Sequence, residues 1–322
     1  MRVGVSLFLL TFLSVWISSC ADNAGPPPIF LIAEDVSTSL LNANSDLNIG
    51  KAYMVNGSKI DPDNDGYLND SILRNYLLEN FTRDFSGYLI LDWEERGLER
   101  LNTNPKSATQ ETQIQEFLRG LQIVHSVLPS AKAGYYAIPF RYYYNRNATW
   151  RALNDTAQRI IDASDAVFPS VYVFYLSSQV GRSANLDYIS DNIKEALRMA
   201  GNKPVFPFIW ARVHNSNTTS PYRTFDSADF QAYVTGALQT LETNSKKNSR
   251  GIVWWGSDKY WANMIQTTTN PSDPLYSQAQ AIKTAFDAER LGGESYTTYI
   301  DRIHTQVLSD FRTGIDAFRS AP

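Results

Sequence analysis

From residue 70 onward, short apolar runs alternate with longer stretches of helical period, and few architectures accept that order. The helical patterns fall at Ser71 to Phe81, Thr112 to Val127, Thr149 to Ala163, Leu186 to Ala200, Ser227 to Glu242 and Ser277 to Arg290. In the second, Ile114, Phe117, Leu118, Leu121 and Val124 share one face, as a helix packed on a sheet requires. The intervening strand candidates are Gly87 to Leu91, Gly134 to Ile138, Ala166 to Phe174, Val205 to Ala211 and Gly251 to Trp255. Two more, at Ile29 to Ala33 and Lys51 to Val55, precede the first helix. Repeated β–α units imply parallel strands with right-handed crossovers. Six or more in one domain predict an α/β, TIM-like (β/α) barrel of seven to eight strands over residues 29–290. After Gly292-Gly293, a helical segment within 291–322 either packs on the barrel or forms an appendage. With 43% hydrophobic residues in 322, the chain can fill a core of that size without disulfides.

The first 20 residues read as an export signal: Arg2, an apolar run from Val3 to Ile17, then Ser18-Ser19-Cys20. The run is too short to span a bilayer comfortably. Ile17-Ser-Ser-Cys20 resembles a bacterial lipobox, which implies lipidation at Cys20, the chain's one cysteine; the alternative is an ordinary cleavage site nearby. Residues 21–28, with Pro26-Pro27-Pro28, then form a tether, leaving a lipid anchor as the only membrane contact. Five N-x-S/T sequons, at Asn56, Asn80, Asn147, Asn154 and Asn217, would suit a secreted eukaryotic protein, although an Asn- and Thr-rich chain produces several by chance. A net charge of −4 argues against a nucleic-acid partner.

In a parallel barrel the chemistry collects at the carboxyl ends of the strands. Here those ends carry Asp92-Trp93-Glu94, Arg141 to Asn145, Tyr172 with Tyr175, Trp210 with Arg212 and His214, and Trp254 to Asp258. Such aromatic, acidic and amide groups suit a carbohydrate cleft. Side chains two apart on a strand share a face, so Asp92 and Glu94 project together with Trp93 turned away. Two adjacent carboxylates do not both ionise cheaply, so one pKa rises. A carboxyl that stays protonated near neutrality can protonate a leaving group.

Four segments, in order, carry a likeness to a known family: Phe85 to Glu95, Gly134-Tyr-Tyr-Ala-Ile-Pro-Phe140 running on to Tyr144-Asn145, Phe168-Pro-Ser-Val-Tyr172, and Gly251-Ile-Val-Trp-Trp-Gly-Ser257. Over roughly residues 65 to 290 the chain resembles the hyaluronidase family of glycoside hydrolases. The resemblance implies retaining, substrate-assisted cleavage of a β-linked N-acetylhexosamine polymer without a cofactor. It implies Glu94 as general acid/base, carrying the raised pKa, and Asp92 as the group that orients the substrate's acetamide. Tyr172 would hydrogen-bond that acetamide and Trp255 would pack on its methyl, with Trp254 competing for the role. Tyr144, Asn145, Trp210, His214 and Asp258 complete the expected substrate contacts. The family's tyrosine near the end of the Val205–Val213 strand is missing; either His214 substitutes as a donor, or this subsite differs.

Asp61-Pro-Asp-Asn-Asp65-Gly66 resembles the start of a calcium loop, but its twelfth position is Ile72, so a polar Asx-type turn is the competing reading. His125, His214 and His304 are too scattered to form a zinc site.

Overall fold

The computed structural model describes residues 29–32, 36–103, 106–244 and 251–320. The export signal, Cys20 and the tether lie outside the described residues. Six parallel strands form one curled sheet in the order β4-β3-β2-β1-β6-β5. They are β1 (Ile29–Ile32), β2 (Ile49–Asn56), β3 (Tyr88–Asp92), β4 (Lys132–Tyr135), β5 (Phe208–Ile209) and β6 (Ile252–Trp255). Helices link them and cover the outer face, as sequential parallel strands require.

The expected count of seven to eight strands is corrected to six, and the ladder of regular strands is open between β4 and β5. The segment Ala166–Phe174, expected as a strand, lies in that gap and makes only isolated bridges: Tyr136 with Phe168, Val167 with Val205, and Ser170 with Phe208. Proline is the physical reason. Pro169, Pro204 and Pro207 have no N–H to donate, so no continuous ladder can form here. What remains are single bonds such as Val167 N to Pro204 O at 2.9 Å and Phe208 N to Pro169 O at 2.8 Å. The same prolines shorten the expected Val205–Ala211 strand to the two residues of β5.

Aromatic tiers fill the interior. Phe30, Tyr88 and Phe206 meet edge to face with centroids 4.9–5.1 Å apart. Above them Tyr136 meets Phe208 at 4.8 Å, and Tyr172 lies 5.7 Å from Trp210. Each fully buried phenylalanine ring contributes about 1.5–3 kcal/mol of transfer free energy. Stacking the rings edge to face adds specificity of position. The interior is thus solid below and polar only at the carboxyl end.

Helix ends follow local chemistry: Asn69, Ser107 and Asn147 each accept an N–H of the first turn they precede. The Tyr296–Ser320 helix packs on Ser227–Asn244. A side chain at Gly314 would sit 3.0 Å from the Gln231 carbonyl, so glycine permits that approach. Tyr299, His304 and Phe311 on this helix are buried, which settles its packing on the barrel. Among the described residues, no helix is long and apolar enough to cross a membrane.

Candidate active site

At the end of β3 the strand's alternation persists for two residues. Trp93 turns outward, stacks on Phe117 with centroids 4.8 Å apart, and donates its indole N–H to Asp61 Oδ2 at 3.2 Å. Asp92 and Glu94 therefore turn the other way, into a cavity of about 290 Å³. Glu95 follows with φ +47, a left-handed conformation unfavourable for a side-chain-bearing residue, and it too reaches the cavity.

The opposite wall is aromatic. Tyr172 and Trp255 stack in parallel, centroids 5.4 Å apart and 8° between planes, and Trp210 lies 4.9 Å from Trp255. Of the two tryptophans that competed for this place, Trp255 lines the cavity, while Trp254 packs outside the sheet against His304 and Phe311. Consecutive strand residues face opposite ways, so only one could enter.

Burial raises both carboxyls. Asp92 is pushed well above its ordinary value by burial first, then by the charges of Glu94 and Glu95. Its Oδ1 is sealed from solvent with no hydrogen-bond partner among the described residues. Glu94 is raised by burial too, but the Arg141 guanidinium opposes this, and its side chain keeps access to solvent. The expected rise at Glu94 is present, and Asp92, which has no cation beside it, is raised as well.

Sequence reasoning did not assign Arg141 or Tyr136 to the site. Arg141 lines the cavity, donates to His214 Nε2 at 2.8 Å and to Ser170 Oγ, and its guanidinium carbon lies 5.5 Å from the Tyr172 ring centre. Tyr136 donates its hydroxyl proton to Ser170 Oγ at 3.0 Å. The available signal was an arginine and a tyrosine at the same strand exit as the Pro139 motif. The expected pair Tyr144-Asn145 lies on the rim, displaced by the residues inserted before it. Tyr144 is 67% exposed, against Tyr143 and Tyr175, and Asn145 is exposed beside it. Neither lines the cavity.

His214 enters the cavity, and of the two alternatives its Nε2 does not serve as a donor. A guanidinium can only donate, so the imidazole Nε2 beside Arg141 must accept. Burial, then the Arg141 charge, lowers the His214 pKa to about 3, so the ring is neutral. Its other nitrogen, Nδ1, is 2.8 Å from Ser216 Oγ.

Asp258 is also corrected. It is buried away from the cavity, accepts Arg212 Nε at 2.6 Å and pairs with His304 Nε2 at 3.0 Å. Arg212 continues to Tyr222 O, Glu289 and the Tyr299 hydroxyl. This network ties the hairpin after β5 to the last two helices. The hairpin in turn brings His214, Asn215 and Tyr222, the last with φ +63, to the cavity.

A second cavity of about 270 Å³ adjoins across the Asp92–Glu95 ridge, walled by Asn56, Ser58, Asp61 and Asn64. Asp61 accepts the amides of Asp65 and Gly66 and the Trp93 indole, so both its oxygens take part in an Asx-type turn. Among the described residues no cluster of three or more His, Cys, Asp or Glu could hold a metal. Two sequon asparagines, Asn154 and Asn217, are buried; Asn154 bonds the backbone of Phe140 and the Glu195 carboxylate, and Asn217 the Phe174 carbonyl.

No protein-family model and no curated protein sequence matches the chain. Solved structures do. A monoclinic crystal structure of bee venom hyaluronidase superposes with TM-score 0.54 at 16% identity, covering 85% of this chain and 99% of that one. The bee venom enzyme in complex with a hyaluronic acid tetramer gives TM-score 0.51 at 17% identity, covering 74% and 96%. At such identity the likeness is one of backbone: the chain has a hyaluronidase-like α/β fold.

Proposed function

We propose that the protein is a glycoside hydrolase that cleaves β-linked N-acetylhexosamine-containing polysaccharide, of the hyaluronan or chondroitin kind, with retention and with help from the substrate. The observation that carries this reading is the carboxyl pair Asp92 and Glu94 facing a Tyr172–Trp255 wall in one cavity. The pair leaves one strand exit together. An acid and an opposing nucleophile would have to flank the sugar, whereas an acid and an orienting group can stand side by side.

In this mechanism Glu94 gives its proton to the glycosidic oxygen, which keeps the electron pair of the breaking bond. The substrate's acetamide oxygen attacks the anomeric carbon, and Asp92 accepts the acetamide N–H. Asp92, half-buried and lining the cavity, presents its carboxyl to that donor, and the new hydrogen bond favours its ionised form. Glu94, now a carboxylate, takes a proton from water as the water oxygen displaces the acetamide. Trp255 and Tyr172 supply an apolar wall for the ring face and acetamide methyl, and the Tyr172 hydroxyl, its pKa raised by burial, remains a donor.

The reading extends to location: cleavage before Cys20 and lipidation there would hold the enzyme at a bacterial cell envelope.

Size analysis of hyaluronan, chondroitin and chitin oligomers after incubation tests the activity. Shortened chains that retain anomeric configuration are expected from the wild type. The isosteric Glu94→Gln variant should lose about 10²–10⁴-fold in rate with the fold intact. Binding without shortening, or normal turnover in the variant, would sink the proposal.

A further inference from the structure

Arg141 is a half-buried cation with no anion bonded to it. Its fixed partners, the His214 imidazole, the Ser170 hydroxyl and the faces of Tyr172 and Phe174, are all neutral. Among the described residues it makes no ion pair, and the carboxyls of the β3 exit line the same cavity. An unpaired guanidinium in such a place is costly unless an anion arises there. His214 makes the arrangement rigid: as a neutral acceptor it takes up one N–H without neutralising the charge, and its own Nδ1 is engaged by Ser216. The guanidinium is thus held ready, with donors to spare.

We propose that Arg141, positioned by His214, stabilises the carboxylate that Glu94 becomes when its proton passes to the leaving oxygen. The inference rests on Glu94 being the acid. The proton leaves Glu94 for the glycosidic oxygen, the C1–oxygen bond breaks with its electrons on that oxygen, and the negative charge left on Glu94 develops in the field of Arg141. A preorganised cation aimed at developing charge is among the strongest catalytic devices. The other titratable groups around Glu94 do not do this. Asp92 and Glu95 carry the wrong sign, while Tyr136, Tyr172, Tyr222 and His214 are neutral in the working range. Burial and Glu95 raise the Glu94 pKa and Arg141 opposes them, in accord with this role.

The test reads Glu94 directly. Protein labelled with ¹³C at the glutamate carboxyl is titrated by NMR, with the Glu94 signal assigned by its loss in Glu94→Gln. Arg141→Met should move the Glu94 midpoint to higher pH, carry the alkaline limb of kcat/KM the same way, and lower kcat by about 100-fold. Arg141→Lys, which keeps the charge, should leave the midpoint near that of the wild type. Thermal melts establish that each variant is folded. A midpoint unmoved in folded Arg141→Met, or moved equally in Arg141→Lys, overturns the assignment. Because the titration needs no turnover, a midpoint that moves in a protein that cleaves no polymer overturns the hydrolase reading instead.

Discussion

Replacing Arg212 by methionine removes the hub of the buried network while keeping its volume roughly constant. Arg212 is 1% exposed and bonds Asp258 at 2.6 Å, Tyr222 O at 2.9 Å, Tyr299 at 3.0 Å and Glu289 at 3.2 Å. Burial alone opposes its charge, and the Asp258 and Glu289 carboxylates with the Tyr299 hydroxyl more than reverse that. Removing one partner of a buried pair costs about 3–5 kcal/mol, because the other charge is stranded. At about 2 °C per kcal/mol for a chain of this size, the melting temperature should fall by about 6–10 °C at pH 7. The pH dependence gives the sign. Burial would raise the Asp258 pKa, but Arg212 and His304 hold it well below the ordinary carboxylate range. A group depressed in the folded state stabilises above its unfolded pKa, and that stability is lost as pH falls toward the folded value. Without Arg212 the burial effect is left largely unopposed, and Asp258 becomes cheapest to bury protonated. The gap between wild type and variant should therefore be widest at neutral pH and narrow by pH 3.5. Differential scanning calorimetry at pH 7, 5 and 3.5 measures it. A gap below 2 °C at pH 7, or one that widens in acid, would refute the reasoning.

Three further outcomes follow from the cavity. Asp92→Asn should lower kcat by about 100-fold, since the acetamide loses its acceptor. The same variant should be more stable than the wild type at alkaline pH. Asp92 has a raised folded pKa, so its contribution is present at low pH and is lost as the pH climbs through that value; a pH 9 melt in which the variant is the weaker protein contradicts this. Trp255→Ala removes the ring stacked on Tyr172 and should weaken oligosaccharide binding about tenfold, or about 1.4 kcal/mol, by calorimetric titration on a Glu94→Gln background. Unchanged affinity would move the sugar-binding wall elsewhere.

The period-two and period-3.6 patterns were enough to derive the parallel α/β plan, its longer helices, and the opposite facing of Trp93 and the Asp92–Glu94 pair, but not the shorter helices Glu95–Leu101 and Asp258–Thr267 that follow two of the strand ends. Those properties are local: they depend on the side-chain alternation of one strand or the stripe of one helix. Ladder continuity at Ala166–Phe174 was not legible in the same way, because hydrophobicity conceals the missing N–H of Pro169. The other readings needed the tertiary structure. Asp258 and Trp254 sit at the same kind of strand end as Trp255, yet Asp258 is claimed by Arg212, 46 residues away, and by His304, also 46 residues away. Arg141 reaches His214 across 73 residues, and that contact makes the His214 Nε2 an acceptor and puts a cation in the cavity that Glu94 lines. Which strand-end groups enter a cavity, and which charges act on its carboxyls, depends on burial and on distant segments. Sequence determined which residues could do the chemistry; packing decided which ones are placed to do it.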